Sequence, residues 1–367
     1  MENRNKKIKV LHVLGSMNMG GIQIFLMNIY RSMDREKIEF DFACMNKKNL
    51  FKEEIESLGG HVYWIGSHKK VFAHRKRLVE ILNSNDYDYV HIHSGNALCT
   101  IDAVWSKLNN KNQKVIYHSH NASSKDRVFH YMYRTIIPKY ADYMFACSKE
   151  AAEWMFPKPV IKKGDYTVIT NGIDVRKYLY SAEVAEEVRT ELGLKDSFVV
   201  GHVGRMAKQK NHKFLIEIFD CIKKMNTNAK LLLVGDGPLA QEIHNQVNEL
   251  GLEESVLFLG IRNDIGRILC ACDAFCLPSL FEGLGIVNLE AQASGLPCYI
   301  TDTISDEVVL TSLVEKESLR TSPEIWAEKI CSARNADRIC YNQEVENSKY
   351  SLTYTIGQVC DFYKKNL

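Results

Sequence analysis

Two glutamates, two cations and two histidines are the side chains whose types and spacing could do chemistry together. Glu282 and Glu290 stand with seven residues between them in Ser279-Leu280-Phe281-Glu282-Gly283-Leu284-Gly285-Ile286-Val287-Asn288-Leu289-Glu290-Ala291-Gln292-Ala293-Ser294-Gly295-Leu296-Pro297. The apolar run Ala274-Phe275-Cys276-Leu277-Pro278 before them has the length of a buried parallel strand, and Gly295-x-Pro297 after them is a helix stop. The order is therefore strand, glycine-broken turn, short helix. Glu282 falls in the turn and Glu290 inside the helix. The N–H groups around Leu284 to Val287, with Gly283, Gly285 and Ile286 shaping the approach, open the helix where its dipole favours an anion. One carboxylate beside an anion site and a second about one and a half turns along the helix suit a ligand with hydroxyls at one end and phosphate in the middle. A nucleotide sugar is such a ligand.

The cations follow the strand Ser197-Phe198-Val199-Val200-Gly201-His202-Val203-Gly204, as Arg205 and then Lys210. Just past a strand end, a planar guanidinium fork and an ammonium point charge can clamp a diphosphate leaving group, although most basic loop residues are simply solvated. The histidines also sit at strand ends. Tyr89-Val90-His91-Ile92-His93 ends in one, and Val115-Ile116-Tyr117-His118-Ser119-His120 ends in a pair whose alternation puts both rings on one side. Either His118 or His120 can face a ligand, with His120 the preferred one, and an imidazole there can bind a transferred sugar or steer an acceptor hydroxyl. Gly20-Gly21, after the strand Ile8–Leu14, lets backbone approach a phosphate. It lacks the G-x-G-x-x-G spacing of a dinucleotide fold.

These groups need a frame that carries strand ends to one edge, and the chain alternates short apolar strands with helices throughout, as a doubly wound parallel sheet does. With 367 residues, two domains are expected. Pro157, Pro159 and Gly164 mark the linker, giving residues 1–165 and 166–345. An amphipathic tail helix from about Thr353 to Tyr363 lies in the remaining residues, 346–367.

Composition excludes several classes. The N-terminal residues are charged and the apolar run after them is too short to cross a bilayer, so a cytoplasmic protein is expected, with no nucleic acid partner. The 11 cysteines are scattered through apolar runs, as free thiols are in a reducing compartment. Cys270, Cys272 and Cys276 lack metal spacing, and Asp86-Tyr87-Asp88 reads as a turn, so no metal or other cofactor is expected. Net charge is +2 overall, but residues 1–165 carry +9 and residues 166–367 carry −7. The run from His68 to Arg77 is the most basic, with Val71 and Phe72 interleaved. It reads either as a solvated helix face or as a contact for a phosphorylated or membrane-borne acceptor.

The long glutamate-bearing string resembles the E-x7-E signature of the retaining GT-B glycosyltransferases of family 4. Other segments match that family in order: Gly20-Gly21-Ile22-Gln23 its G-G-x-E/Q loop, Asn171-Gly172-Ile173-Asp174 its N-G-I-D turn, and Arg205 with Lys210 its G-R-x4-K. Gly235-Asp236-Gly237-Pro238-Leu239 is similar to its G-x-G-P-L. His118-Ser119-His120-Asn121 resembles an element of the capsule- and exopolysaccharide-assembling branch. The resemblance implies two facing Rossmann-like domains with the last helix crossing back onto the first. It further implies metal-independent transfer, with retention, of a hexosyl unit from a nucleotide diphosphate sugar, UDP foremost, to a lipid-linked saccharide. In that scheme Arg205, Lys210 and helix amides meet the diphosphate, Glu282 holds sugar hydroxyls, Glu290 holds the ribose, and backbone near Ile261 and Arg262 meets the base. The basic N-terminal domain would rest on the anionic inner face of the plasma membrane. A sugar-nucleotide epimerase or a phosphorylase of the same fold, and a catalytically silent partner subunit, remain the alternatives.

Overall fold

The computed structural model describes residues 7–18, 20–121, 127–282, 284–333, 338 and 341–366. They form two compact units. The first comprises residues 1–172 together with 352–367, and the second comprises residues 173–351.

The first unit is built on β1 (Ile8–Leu14), β2 (Ile38–Cys44), β3 (Val62–Trp64), β4 (Tyr89–Ser94), β5 (Lys114–Ser119), β6 (Tyr143–Ala146) and β7 (Thr167–Val168). All pairings are parallel, in the order β3-β2-β1-β4-β5-β6-β7. Strands such as Ile-Lys-Val-Leu-His-Val-Leu read as nearly continuous apolar runs because both faces of a parallel sheet are covered. Val10 and Leu14 enter one core with Phe25, Tyr30, Phe40 and Phe42, while Leu11 and Val13 enter the opposite one with Leu78, Val90 and Trp105. The sheet includes β7, which the sequence places beyond a domain boundary at 165. Phe145 and Ala146 offer a parallel edge to Thr167 and Val168, and the division falls after Gly172 instead.

The final helix, Leu352–Lys365, belongs to this unit too. Val359, Cys360 and Tyr363 are buried in its first core. The Tyr363 hydroxyl lies 2.5 Å from His91 Nδ1, and Tyr89 donates its hydroxyl to the Tyr363 carbonyl at 3.2 Å. Burying a ring of this size is worth about 3 kcal/mol before the hydrogen bonds are counted.

The second unit repeats the plan with β8 (Phe198–Val203), β9 (Ala229–Val234), β10 (Val256–Gly260), β11 (Ala274–Leu277), β12 (Cys298–Thr301) and β13 (Val314–Glu317). Its strands are parallel in the order β10-β9-β8-β11-β12-β13. In each sheet the winding reverses at one place, between β1 and β4 and between β8 and β11. There the connecting loops part and leave a crevice at the C-terminal strand ends, where α/β proteins bind ligands.

Candidate active site

The β8/β11 crevice gathers the second unit's predicted residues. The turn after β8, at Gly204 and Arg205, is clasped by the turn after β9. A Cβ on Gly235, whose φ is +131°, would stand 2.1 Å from the Gly204 oxygen, and one on Gly237 would meet the Met206 oxygen at 2.4 Å. Met206 N donates to Asp236 O at 3.0 Å across the same contact. Glycine is therefore required by close backbone approach at both positions. Gly204 does a different job: Lys210 Cδ and Cε lie 3.0 Å from where its Cβ would be, so the lysine stem can lie along the strand end.

Lys210 Nζ reaches Glu282 Oε1 at 2.7 Å. Ser279 Oγ donates to the same oxygen at 2.6 Å, and Gln209 Nε2 approaches the other at 3.4 Å. The side chains are only 15% and 6% exposed, so the pair is largely desolvated and depends on those extra donors. Leu280 N donates to Gln209 O at 2.8 Å and Asn211 Nδ2 to Pro278 O at 3.1 Å, which lock the two loops together. Asn211 has φ +53°, the one positive value at a non-glycine among the described residues. Backbone strain of this sort is held in place by surrounding bonds and concentrates at functional sites. Arg205 is exposed, and its guanidinium has no ion pair among the described residues.

Glu290 lies on the helix Ile286–Ala293, which Gly285 opens with φ +59°. Tyr178 donates its hydroxyl to Glu290 Oε1 at 2.7 Å. Burial raises the Glu290 carboxyl from 4.5 to about 7, against the smaller opposing effects of the Tyr178 hydrogen bond and the Lys210 charge. Lys210 thus acts electrostatically on both glutamates. Leu284 packs partly into the core, Ile286 heads the helix and Gly283 lies outside the described residues. After β10, Ile261 is 80% exposed, and Arg262 is tied to Asp264 by two bonds of 2.8 and 2.7 Å.

In the first unit, Gly20 and Gly21 open the helix Gly21–Ser32 beyond β1, with Gln23 Nε2 folded back onto Ser16 O at 2.6 Å. The two candidate histidines separate here. His118 is fully buried, so it is a core residue rather than a surface contact, whereas His120 lies one step past β5 and is only partly buried. Both join a larger group. His12 from β1, His91 and His93 from β4, and His118 and His120 form a layer of imidazoles against Phe25, Phe40, Phe42 and Phe145. Burial depresses all five, His12 and His120 to about 3, so the rings are neutral.

Elsewhere, Asp88 accepts Lys9 N at 2.8 Å at the N-terminal end of β4, on the far edge from the crevice. Cys270 and Cys272 give their thiols to the carbonyls of Leu179 and Ile268. The basic run forms a short turn and the helix Val71–Ser84. His68 and His74 turn inward to the buried Asp102 carboxylate at 3.0 and 2.8 Å, while Lys69, Lys70, Arg75 and Lys76 surround an 87% exposed Phe72.

Tyr178, Ser279 and Gln209 were not legible as site residues, since a tyrosine, a serine and a glutamine acquire a role only from the carboxylate they reach. His12 carried a signal: it alternates in phase with Val10 and Leu14 inside an apolar strand, and the structure sets it directly opposite His91.

The pattern described as "Glycosyltransferase Family 4" matches residues 19–177 and that described as "Glycosyl transferases group 1" matches residues 184–330. The putative glycosyltransferase EpsF of Bacillus subtilis is 35% identical over 342 residues, covering 90% of this chain and 88% of its own. The chain belongs to the group 1, family 4 glycosyltransferases. It falls in their exopolysaccharide- and capsule-assembling branch. An Escherichia coli enzyme named UDP-Gal:alpha-D-GlcNAc-diphosphoundecaprenol alpha-1,3-galactosyltransferase is 27% identical over 82% of this chain and 81% of its own. Among solved structures, Anabaena HepE in complex with UDP superposes with TM-score 0.78 at 21% identity over 98% of this chain and all of that one, which carries the GT-B fold across. Among the described residues no helix is long and apolar enough to cross a membrane.

Proposed function

We propose that this glycosyltransferase moves a hexosyl unit from a UDP-sugar to a lipid-linked oligosaccharide, with retention and without a metal in the transfer step. The observation that carries the reading is the grouping of Arg205, Lys210, Glu282 and Glu290 at the C-terminal ends of β8 and β11, around one anion-favouring helix start. Arg205, which has no ion pair among the described residues, takes the diphosphate first. Lys210 then turns from Glu282 to the phosphate, and the carboxylate it leaves accepts hydroxyls of the sugar. The negative charge that develops on the departing diphosphate is met by these two cations and by helix amides, which removes the need for a divalent ion there. Glu290 takes the ribose and the backbone at Ile261 and Arg262 the base. His120 is the imidazole assigned to the transferred sugar or the acceptor hydroxyl. The UDP donor is supported by the ligand named with HepE, and the lipid-linked acceptor by the substrate named for the E. coli relative. The basic face around Phe72 rests reversibly on anionic lipid at the inner side of the plasma membrane.

A thermal-shift screen of nucleotide sugars tests the donor assignment. UDP and one UDP-sugar should raise the melting temperature, and transfer to an undecaprenol-linked saccharide should persist in EDTA. Stabilisation by a non-uridine nucleotide sugar alone, or loss of transfer in EDTA restored by manganese, would refute it.

A further inference from the structure

The five imidazoles of the first unit form more than a packed layer. On β5 and its exit, His118 and His120 are two apart and share a face, and His93 of β4 lies directly across from His118 in the parallel register. Two rings of an H-x-H pair with a third opposite on the next strand bring three nitrogens to one face. Ligand nitrogens of His93, His118 and His120 all lie within 4.8 Å of one another. His93 Nδ1 and His120 Nε2 already point at each other at 2.9 Å. Opening that separation to about 3.3 Å would match one edge of a tetrahedron with metal–nitrogen bonds of 2.0–2.1 Å.

The outer partners agree with this choice of atoms. His93 keeps its other nitrogen, Nε2, on His12 Nδ1 at 2.9 Å. His118 keeps Nδ1 on His91 Nε2 at 3.2 Å, and His91 in turn meets the Tyr363 hydroxyl. That leaves His118 Nε2 as the atom available to an ion, and it is buried with no hydrogen-bond partner among the described residues. An orphaned polar atom in a core loses its hydration without compensation and calls for a ligand or another explanation. Metal-bound imidazoles hold their second nitrogen on an outer partner in just this way, which fixes tautomer and ring orientation for His93 and His118, whereas Nδ1 of His120 has no hydrogen-bond partner among the described residues. Burial supplies the neutral rings that ligation requires.

We propose that His93, His118 and His120 form a binding site for a borderline divalent transition-metal ion of the zinc class, with His12 and His91 as outer supports. Three nitrogens and no oxygen donor select zinc, cobalt or nickel over magnesium or calcium. The site is separate from the diphosphate clamp of the second unit, but it shares His120 with the sugar or acceptor contact assigned above, so a bound ion would take the place of that contact while leaving the diphosphate's departure to Arg205 and Lys210. The sequence reading missed it because its ligands come from two strands and their supports from a third, with only H-x-H in any one place.

The test uses the full chain stripped with chelator and titrated with Co2+. One Co2+ per chain should bind, with the intense visible bands of a low-coordinate site and no sulfur-to-cobalt charge-transfer band. Zn2+ should displace it and Mg2+ should not. His118→Asn/His120→Asn should abolish binding, and His91→Phe, which removes only the support of His118, should weaken it about 10- to 100-fold. His68→Asn should leave it intact. That variant guards against a mixed cluster, His68, Cys99 and Asp102, whose ligand atoms are also within 4.8 Å, while the double variant guards against His12, His91 and His93, which meet the same distance. The proposal is overturned if the wild type takes up no stoichiometric Co2+. It is equally overturned if a folded double variant still binds, or if the spectrum shows thiolate and disappears in His68→Asn. Should the double variant not fold, the wild-type spectrum and the His91→Phe titration decide.

Discussion

Replacing Glu290 by Gln should push stability and nucleotide binding in opposite directions. Raising a carboxyl from 4.5 to about 7 by burial corresponds to a cost on the order of 3 kcal/mol for holding the ionised side chain in the fold. The sign follows from linkage. The unfolded chain ionises near 4.5 and the folded one near 7, so the wild type is at its best below about 4.5 and loses this stability as pH rises through 7. Glutamine never ionises, but its amide oxygen accepts the Tyr178 hydroxyl less strongly than a carboxylate does, a loss of about 1 kcal/mol. The variant should therefore be more stable by about 2 kcal/mol at pH 8.5 and by less than about 1 kcal/mol at pH 5. For a unit of this size, the pH 8.5 figure is a rise of about 4–8 °C in Tm. At pH 8 its affinity for UDP should fall about 10- to 100-fold, since a charged acceptor for the ribose hydroxyls is gone. Wild-type UDP affinity should also climb between pH 6 and 8, while that of the variant stays flat. Calorimetric melts at the two pH values and UDP titrations across the range make the comparison. Equal melting temperatures at pH 8.5, or a variant that binds UDP as the wild type does, would show that Glu290 is neither the strained acid nor the ribose ligand.

Arg205→Ala should leave the melting temperature within error, because the guanidinium has no ion pair among the described residues, yet lower kcat/KM by about 2–4 kcal/mol of transition-state stabilisation; a wild-type rate would remove it from the clamp. Lys210→Ala, by contrast, strands the 6% exposed Glu282 carboxylate and should cost about 3–5 kcal/mol of stability in denaturant titrations, an effect that Lys210→Ala/Glu282→Gln should largely reverse. Glu282→Gln alone should spare UDP binding and damage transfer, and calorimetry giving the reverse would exchange the roles of the two glutamates. Neutralising Lys69, Lys70, Arg75 and Lys76 together should abolish salt-sensitive binding to anionic vesicles without altering UDP affinity, each charge near the surface being worth about 1 kcal/mol; vesicle binding that survives would return the run to a solvated face.

The sheets were readable from sequence because buried parallel strands are apolar at nearly every position, and runs such as Lys-Leu-Leu-Leu-Val and Phe-Val-Val-Gly-His-Val admit little else. Site residues at strand ends were readable for a related reason: in a doubly wound sheet, the chain order of strand and loop already says which edge a loop residue occupies. What distance along the chain conceals is pairing. Nothing near Glu282 announces that Lys210, 72 residues earlier, neutralises it, and nothing near Glu290 points to Tyr178, 112 residues earlier. His118 shows the limit of alternation, which gives the face of a sheet but not the depth. It shares a face with His120 and both rings touch Phe25, yet His118 lies inside β5 between His91 and Phe145 while His120 stands one step past the strand end. The strand β7 went unrecognised because two residues carry no periodicity.

The helix Leu352–Lys365 has a consequence for how the chain comes to be made. The second unit is one continuous stretch, residues 173–351, whereas the first needs a piece encoded after it. A nascent chain therefore exposes β1, β2 and β4 long before the element carrying Tyr363 exists. At about 5–20 residues per second, the delay is on the order of fifteen to sixty seconds. Throughout that time the face bearing Phe40, Tyr89 and His91 lacks its cover, and the second unit, though translated later, can finish folding first. Holdase chaperones would find their target in the half-built first unit, and a slowly translated stretch would help most just before residue 352.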